Sequence, residues 1–159
     1  MNETLSRASR IVPTSVILLT VATKEKQDAM TASAMFVSEE LPLLVVSVAK
    51  HILTHALIEE AGEFVLNVAS RNQIKLAQKL GSFHGKEVDK FKEFDLSTEK
   101  ANKVSAPIIK GSCATIECKV VTSYSTGNYT IYLAEVVDYK VDGKLTPIAW
   151  YNNKYFTIA

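Results

Sequence analysis

The sequence predicts a mainly β domain with short inserted helices, whose antiparallel strands form a closed or partly closed barrel. Two short apolar runs rich in β-branched residues, residues 16–21 and Leu43–Ala49, are typical of buried strands. After Pro107, apolar and polar residues alternate over long stretches, which indicates half-buried antiparallel strands. Helical spacing is confined to short segments, and a barrel covers strand edges that an open sheet would leave unpaired.

The composition fits one domain spanning residues 1–159. Hydrophobic residues make up 47% of the chain, enough for a core at this size. Lys and Arg number 18 against 17 Asp and Glu, for a net charge of +1, whereas nucleic-acid binding depends on an excess of cations. No stretch reaches the ~20 apolar residues of a membrane span. We therefore expect a cytoplasmic protein that binds neither nucleic acid nor membrane.

The segment between the two apolar runs, residues 29–38, is predicted to be one strand built from small and hydroxyl residues. Apolar residues at helical spacing predict a helix over residues 51–61, followed by a glycine. A second helix is predicted from Ser70, where Gln73 completes a capping-box pattern, to Gly81.

The C-terminal part predicts a hairpin with a first strand over residues 113–124, a turn at 125–128 and a return strand over 129–139. Cys113 and Cys118 lie in the first strand at an odd separation, so their side chains point to opposite faces. We therefore expect two buried, reduced thiols that neither pair with each other nor share a metal.

Histidines give a weak metal signal. His51 and His55 are four residues apart on the first predicted helix, a spacing found in zinc sites. Ile52 stands where a zinc protease carries glutamate, and His84 is the only other histidine. Because complete sites need three or four ligands, we expect no metal site.

Two segments are candidates for binding a ligand. The first comprises Met30, Thr31, Ala32, Ser33 and Ala34, where small side chains let a planar ligand approach the main chain and hydroxyls add donors. A strand of small residues beneath a crowded neighbour is the alternative interpretation.

The second candidate lies at the passage from strand to helix and comprises Ser47, Val48, Ala49, Lys50, His51 and Thr54. Free N–H groups and the positive end of the dipole at a helix start favour an anion, and Lys50, His51 and Thr54 stand where they would complete a phosphate site. The alternative is a solvated lysine beside a simple helix cap.

A series of short motifs runs in order along nearly the whole chain: residues 30–34, 42–48, 54–55, 62–68, Gly81, Gly85-Lys86, 89–91, 116–118, 135–137 and 155–156. This ordered series resembles the flavin reductase-like family, which includes flavoredoxins and the small flavin reductases of two-component monooxygenases. The resemblance implies an FMN-binding split β-barrel that forms a homodimer, with flavin near the subunit interface.

The resemblance also implies roles for the candidate residues. The main chain of residues 31–34 would line the isoalloxazine ring, and residues 47–49 would contact the ring or the ribityl chain. Phosphate would be held by Lys50, His51 and Thr54. At the rim of the site the resemblance places Phe83, Lys86 and Lys90.

A cluster of aromatic residues near the C-terminus agrees with a homodimer interface: Trp150, Tyr151, Tyr155 and Phe156. Aromatic residues are enriched at interfaces, and core packing is the alternative interpretation.

The turn at Gly127-Asn128-Tyr129 departs from the family, whose members often carry Gly-Asp-His there, with the histidine associated with the nicotinamide site. Tyr129 can stack or donate a hydrogen bond but offers no cation. We expect a flavoprotein oxidoreductase that passes electrons from NAD(P)H to FMN or FAD, without an acid–base side chain, and on to a small-molecule or protein acceptor. Two alternatives stay open: an FMN-binding electron carrier without its own NAD(P)H site, and a barrel for another phosphorylated ligand.

Overall fold

Strands and short helices occupy most of residues 3–158, the part of the chain that the computed structural model describes. The strands are β1 (Thr14–Ser15), β2 (Ile17–Ala22), β3 (Gln27–Ala32), β4 (Ala34–Ser38), β5 (Leu43–Ala49), β6 (Glu63–Val68), β7 (Thr98–Glu99), β8 (Ile108–Ile109), β9 (Ala114–Thr126), β10 (Tyr129–Val141), β11 (Ile148–Tyr151) and β12 (Lys154–Thr157). The helices are α1 (Glu3–Ser6), α2 (Leu53–Ala61), α3 (Ile74–Ser82) and α4 (Lys90–Glu93), with 3₁₀ turns at Arg7–Arg10 and Arg71–Gln73. The predicted mainly β class is confirmed.

Seven strands form an antiparallel sheet in the order β3-β2-β6-β9-β10-β5-β4. Only Ser33 separates β3 from β4 in the chain, yet these strands lie at opposite edges of the sheet. The sheet therefore curls until its two edges meet at Ser33, which confirms the predicted partly closed barrel.

The prediction of one continuous strand over residues 29–38 is wrong. In the structure Ala32 pairs with Ile17 of β2, whereas Ala34 pairs with Val46 of β5. One straight strand cannot reach both edges of the same sheet, so the chain bends where its side chains are smallest.

Two of the three clusters of buried apolar side chains among the described residues lie on opposite faces of β2. The interior is filled from β2, β5, β6, β9 and β10 and closed by α2, with Ile17, Leu19, Val21, Leu44, Val46, Val48, Leu57, Ile58, Phe64, Leu66, Cys118, Tyr132 and Ala134. On the opposite face of β2, α3 and the C-terminal strands pack around Val16, Leu18, Ala29, Ala69, Ala77, Leu80, Phe91, Ile109 and Ile148. Alternation along β2 thus divides one strand between two cores.

The local signals read from the sequence match the structure closely. Helix α2 begins at Leu53 and ends before Gly62, whose φ of +66° is the left-handed conformation that glycine adopts easily. Before α3, the Ser70 N–H donates to Gln73 Oε1 at 3.0 Å, as the capping-box pattern predicts. Gly81 lies inside α3 rather than at its end, and a Cβ there would stand 3.6 Å from Thr31 Cβ.

The predicted hairpin is also confirmed. β9 and β10 pair along their length and are joined by Gly127-Asn128, with φ of +52° at Gly127. A separate three-stranded sheet of β1, β11 and β12 packs beside the barrel, and β7 pairs with β8.

Cys113 and Cys118 are free and buried, as expected. Burial raises the pKa of both thiols, and that of Cys118, inside the barrel, rises to about 12. Among residues 3–158, no helix combines the length and apolar character required to span a membrane.

Candidate functional site

The corner between β3 and β4 is fastened by Ser15. The Ser33 hydroxyl donates to the Ser15 carbonyl at 2.8 Å, and the Ser15 hydroxyl lies 3.1 Å from both the N–H and the carbonyl of Ala34. Ser33 belongs to neither strand ladder, so its main-chain groups lie outside the sheet pairing. The corner is thus rigid while main chain stays open beside it.

Next to this corner the pairing between β4 and β5 ends, which leaves an open seam along residues 47–49 of β5. The pairing of β4 with β5 extends as far as Ala34 opposite Val46, and within the described residues the next three positions of β5 pair only with β10. Ser47 is exposed and Ala49 half-buried, whereas Val48 lies in the barrel interior and presents only its main chain. The structure therefore brings the two predicted ring-binding segments, residues 30–34 and 47–49, to one seam.

Side chains along β3 alternate between the two cores. Met30, Ala32 and Ala34 pack against the barrel interior. Thr31 points the other way, and its hydroxyl donates to the Ala77 carbonyl of α3 at 2.5 Å. The Thr31 proton is therefore already used, and this residue can offer a ligand its main chain and one hydroxyl acceptor.

Lys50 ties the end of β5 to the turn of the β9–β10 hairpin. Its Nζ donates to Ser125 Oγ at 2.5 Å and to the Gly127 carbonyl at 2.8 Å, and its N–H donates to the Asn128 carbonyl at 2.8 Å. Since an ammonium has three donors, one remains for an anion. Next to this turn, Tyr129 begins β10 opposite Ala49 and is 50% exposed.

The histidines do not converge. His51 faces His84 from the loop after α3, with ring centroids 6.2 Å apart. His55 instead places Nε2 2.8 Å from Thr130 Oγ1 on β10. Within residues 3–158, no group of three or more His, Cys, Asp or Glu side chains could hold a metal ion.

A buried charged cluster lies at the other end of β3. Asp28 is 2% exposed and Lys90 4%, and the Lys90 Nζ lies 3.4 Å from Asp28 Oδ1 while donating to the Ala29 carbonyl at 2.6 Å. The fully buried Thr54 hydroxyl donates to Asp28 Oδ2 at 2.6 Å. Burial lowers the pKa of Lys90, and the nearby carboxylate opposes that shift.

This cluster corrects two predictions. Thr54 was expected to donate to a phosphate, but its hydroxyl proton is directed to Asp28. Lys90 was expected at the rim of the site, but its side chain runs inward to compensate a buried carboxylate. Both side chains compensate the buried Asp28 carboxylate, which would be costly to leave without partners.

The remaining predicted residues lie in the loop between α3 and α4. Phe83 is 46% exposed and packs edge-on against Phe94, with centroids 5.2 Å apart. Lys86 lines a cleft of about 620 Å³ whose walls carry both lysines and acidic residues. Gly85 beside it packs so closely that an added Cβ would clash with the Asp28 carboxylate.

A smaller cleft of about 360 Å³ lies directly beside the corner, lined by residues 31–33 on one side and by Trp150 and Tyr155 on the other. The C-terminal aromatics therefore divide. Trp150 and Tyr155 are partly buried against the outer core, whereas Tyr151 and Phe156 are 40% and 47% exposed.

Sequence reasoning missed Ser15 and Asp28. The sequence did contain a sign of the role of Asp28, because an acidic residue at the start of a strand of small apolar residues needs a charged or hydrogen-bonding partner once it is buried. Ser15 gave none, because its role depends on which strand lies beside the corner.

A family model, the flavin reductase like domain, matches residues 8–159. The chain therefore belongs to the flavin reductase-like family of oxidoreductases, and the family inferred from the order of motifs is confirmed.

Relatives agree with this assignment. The chain is 31% identical to the FMN reductase (NADH) SmoA of Agrobacterium fabrum over 78% of this chain and 68% of that protein. It is 28% identical to the reductase component of the FADH(2)-dependent resorcinol hydroxylase of a Rhizobium species, over 92% and 81% of the two chains. The solved structure of the NADH:FAD oxidoreductase SgcE6 of Streptomyces globisporus superposes with a TM-score of 0.89 at 26% identity, covering 98% and 92%. The split β-barrel predicted from the sequence is the fold of these flavin reductases.

Proposed function

We propose that this protein is a flavin reductase that binds FMN at the seam beside the Ser33 corner and passes electrons from NAD(P)H through the flavin to an acceptor. The observation that carries the proposal is the meeting of open main chain from the corner and from β5 with Lys50 and His51. A flat polar ring needs such main-chain groups along its edge, and a phosphate needs the adjoining cations and helix start.

A flavin supplies the redox chemistry itself, accepting a hydride and releasing electrons, so the protein provides placement and charge. Main-chain groups of Ser33 and of residues 47–49 would hold the ring edge, since these groups lie outside the β4–β5 ladder. Lys50 has one ammonium donor left for a phosphate, and its charge favours the anion that develops on reduction. The barrel core beneath the seam keeps water from one side of the ring.

Flavin binding is tested with purified protein and its apo form. FMN titrated into apo-protein is expected to bind with a Kd in the micromolar range or below, about −8 kcal/mol or better. Denaturation releases the bound flavin, and its retention time in chromatography shows whether it is FMN or FAD. No binding of either flavin at high micromolar protein contradicts the proposal.

The nicotinamide step is tested by following NADH and NADPH oxidation with added FMN. Tyr129 begins β10 opposite Ala49, is half exposed, and has a ring that can stack on a nicotinamide. Steady turnover with either nucleotide supports the reductase. Tight flavin binding without turnover instead identifies an electron carrier without its own nicotinamide site, which the missing cation at Tyr129 favours.

A homodimer completes the proposal. β4 is an edge strand whose consecutive residues Met35, Phe36 and Val37 are 63%, 49% and 49% exposed, with Leu41 at 69% in the adjoining turn. An uncovered apolar edge strand is an aggregation hazard, and a second copy of the chain is the simplest cover. Light scattering at micromolar concentration is expected to give twice the 17.5 kDa chain mass. A single-chain mass with flavin bound rules the dimer out.

A further inference from the structure

The three-stranded sheet beside the barrel presents a row of side chains to the corner. Thr14 of β1 is directly opposite Trp150 of β11, which in turn is directly opposite Tyr155 of β12. Residues directly opposite each other in an antiparallel sheet point to the same face. Thr14, Trp150 and Tyr155 therefore form one row, and all three line the cleft whose other wall is residues 31–33.

This cleft has the size and chemistry of a site for a planar ring. Its volume of about 360 Å³ is in the range of small-molecule sites, ~300–1,000 Å³. One wall consists of small side chains and the other of two large aromatic rings, so a flat ligand can lie between them. Neither wall carries a charged side chain, which suits an uncharged heteroaromatic ring.

Hydrogen-bond donors on the two walls are not equivalent. The hydroxyls of Ser15, Thr31 and Ser33 all donate to main-chain carbonyls. Among residues 3–158, by contrast, the Trp150 indole N–H and the Tyr155 hydroxyl have no hydrogen-bond partner within the protein, and both polar atoms stay accessible although their rings are partly buried. Trp and Tyr suit positions where one end of the ring is apolar and the polar end is accessible for hydrogen bonding. Two free hydrogen-bond donors on an aromatic wall suit a ring ligand that carries hydrogen-bond acceptors.

We propose that Trp150 and Tyr155 form the outer wall of the flavin ring site and bind the isoalloxazine by stacking and by hydrogen bonds to its carbonyl oxygens and ring nitrogens. This proposal rests on the proposed function, because it places the ring at the Ser33 corner. It extends the site across the cleft, from the small residues of β3 to two side chains of the C-terminal hairpin.

The first measurement is affinity for riboflavin and FMN. Stacking of a heteroaromatic ring on an aromatic side chain contributes to affinity, so Trp150→Ala is expected to weaken both ligands by roughly tenfold. The two losses should be equal because the wall touches the ring and not the phosphate. Tyr151→Ala is the matched control, since Tyr151 is the next residue in β11, points to the opposite face and is exposed.

The second measurement reports contact directly. An indole or phenol touching an excited flavin quenches its emission by electron transfer, and a phenylalanine ring does so far less. Bound riboflavin is therefore expected to be dim in the wild type and several-fold brighter in Trp150→Phe and in Tyr155→Phe. Tyr151→Phe should leave the emission unchanged. The conservative variants keep the ring and the packing, so a merely structural role would not alter this signal.

The outcomes separate this inference from the proposed function. If the wild type binds no flavin, both fail. A second outcome is that the wild type binds flavin but substitutions of Trp150 and Tyr155 leave affinity and emission unchanged, or change them no more than substitutions of Tyr151 do. In that case Trp150 and Tyr155 do not contact the ring, and only this inference fails. If Trp150→Ala does not fold, the emission of the two phenylalanine variants still decides.

Discussion

The two ends of β3 hold polar groups in opposite ways. At Asp28 the carboxylate, the Lys90 ammonium and the Thr54 hydroxyl satisfy one another in the interior, with Gly85 packed over them. At Ser33, five residues further along the chain, the hydroxyls of Ser15 and Ser33 hold a bend and leave main chain open beside a cleft. Polar residues close together in sequence therefore have different roles. The buried group of Asp28, Lys90 and Thr54, called the anchor below, stabilises the fold, whereas the open corner at Ser33 is available to a ligand.

The largest expected effect is the loss of the anchor. Asp28→Ala leaves the Lys90 ammonium buried without its carboxylate, which typically costs about 3–5 kcal/mol of the free energy of unfolding. Ser33→Ala removes one hydrogen bond at the open end and should cost about 0.5–1.5 kcal/mol. Urea unfolding of the two variants measures the difference, and similar losses would erase the distinction between the two ends.

Thr54 and Lys50 sharpen the same distinction through ligand binding. Thr54→Ala removes a hydrogen bond to a carboxylate, so it should lower the free energy of unfolding by about 1.5–3 kcal/mol. Any loss of affinity should be equal for FMN and riboflavin, because Thr54 does not contact the phosphate. Lys50→Ala removes a surface cation near the proposed phosphate, so it should weaken FMN about tenfold and riboflavin little. Titration of both ligands into both variants gives the comparison. A phosphate-selective loss in Thr54→Ala would return Thr54 to the phosphate site.

Gly85 tests how tightly the closed end is packed. A Cβ at this position would meet the Asp28 carboxylate, which Thr54 and Lys90 hold in place. Gly85→Ala is therefore expected to cost about 1–3 kcal/mol, the usual penalty for overpacking. Gly143→Ala, with nothing within 4 Å of the added carbon, is the control and should be neutral in thermal unfolding.

The smallest effect is a dependence of stability on alkaline pH. Burial lowers the pKa of Lys90 below its ordinary 10.5, so between the two values the unfolded chain holds more protons than the folded one. The free energy of unfolding should therefore rise with pH across that window, relative to Lys90→Met, which cannot titrate. Chemical unfolding of both proteins at several alkaline pH values measures the difference. A wild-type curve parallel to that of Lys90→Met would show that Lys90 titrates normally.

Local features of the fold were predictable from the sequence, and long-range pairing was not. Gly62 ending α2, the Ser70–Gln73 turn and the hairpin at Gly127 depend on neighbours within a few residues. The corner at Ser33 depends instead on β3 and β4 choosing opposite edges of the sheet, which no local pattern encodes.

The geometry of the candidate site was predictable to the same extent. Ala34 pairs with Val46, which brings the segments of residues 30–34 and 47–49 close together, and both segments were identified from small residues and a strand end; their role in ligand binding stays a prediction. The partner of Asp28 could not be predicted from the sequence, because Lys90 is one of 18 Lys and Arg residues and lies 62 positions away. Trp150 and Tyr155 were identified as aromatic residues of interest, but only the register of β11 and β12 separates them from Tyr151 and Phe156.

The buried thiols give this chain a chemical durability suited to its proposed work. Reduced flavin reacts with oxygen to form peroxide, and peroxide attacks the thiolate form of cysteine. With its pKa raised by burial to about 12, the Cys118 thiol stays protonated at neutral pH. Cys113 is shielded in the same direction by burial. If the protein handles reduced flavin in air, as proposed, its two thiols therefore stay in the form that peroxide attacks least.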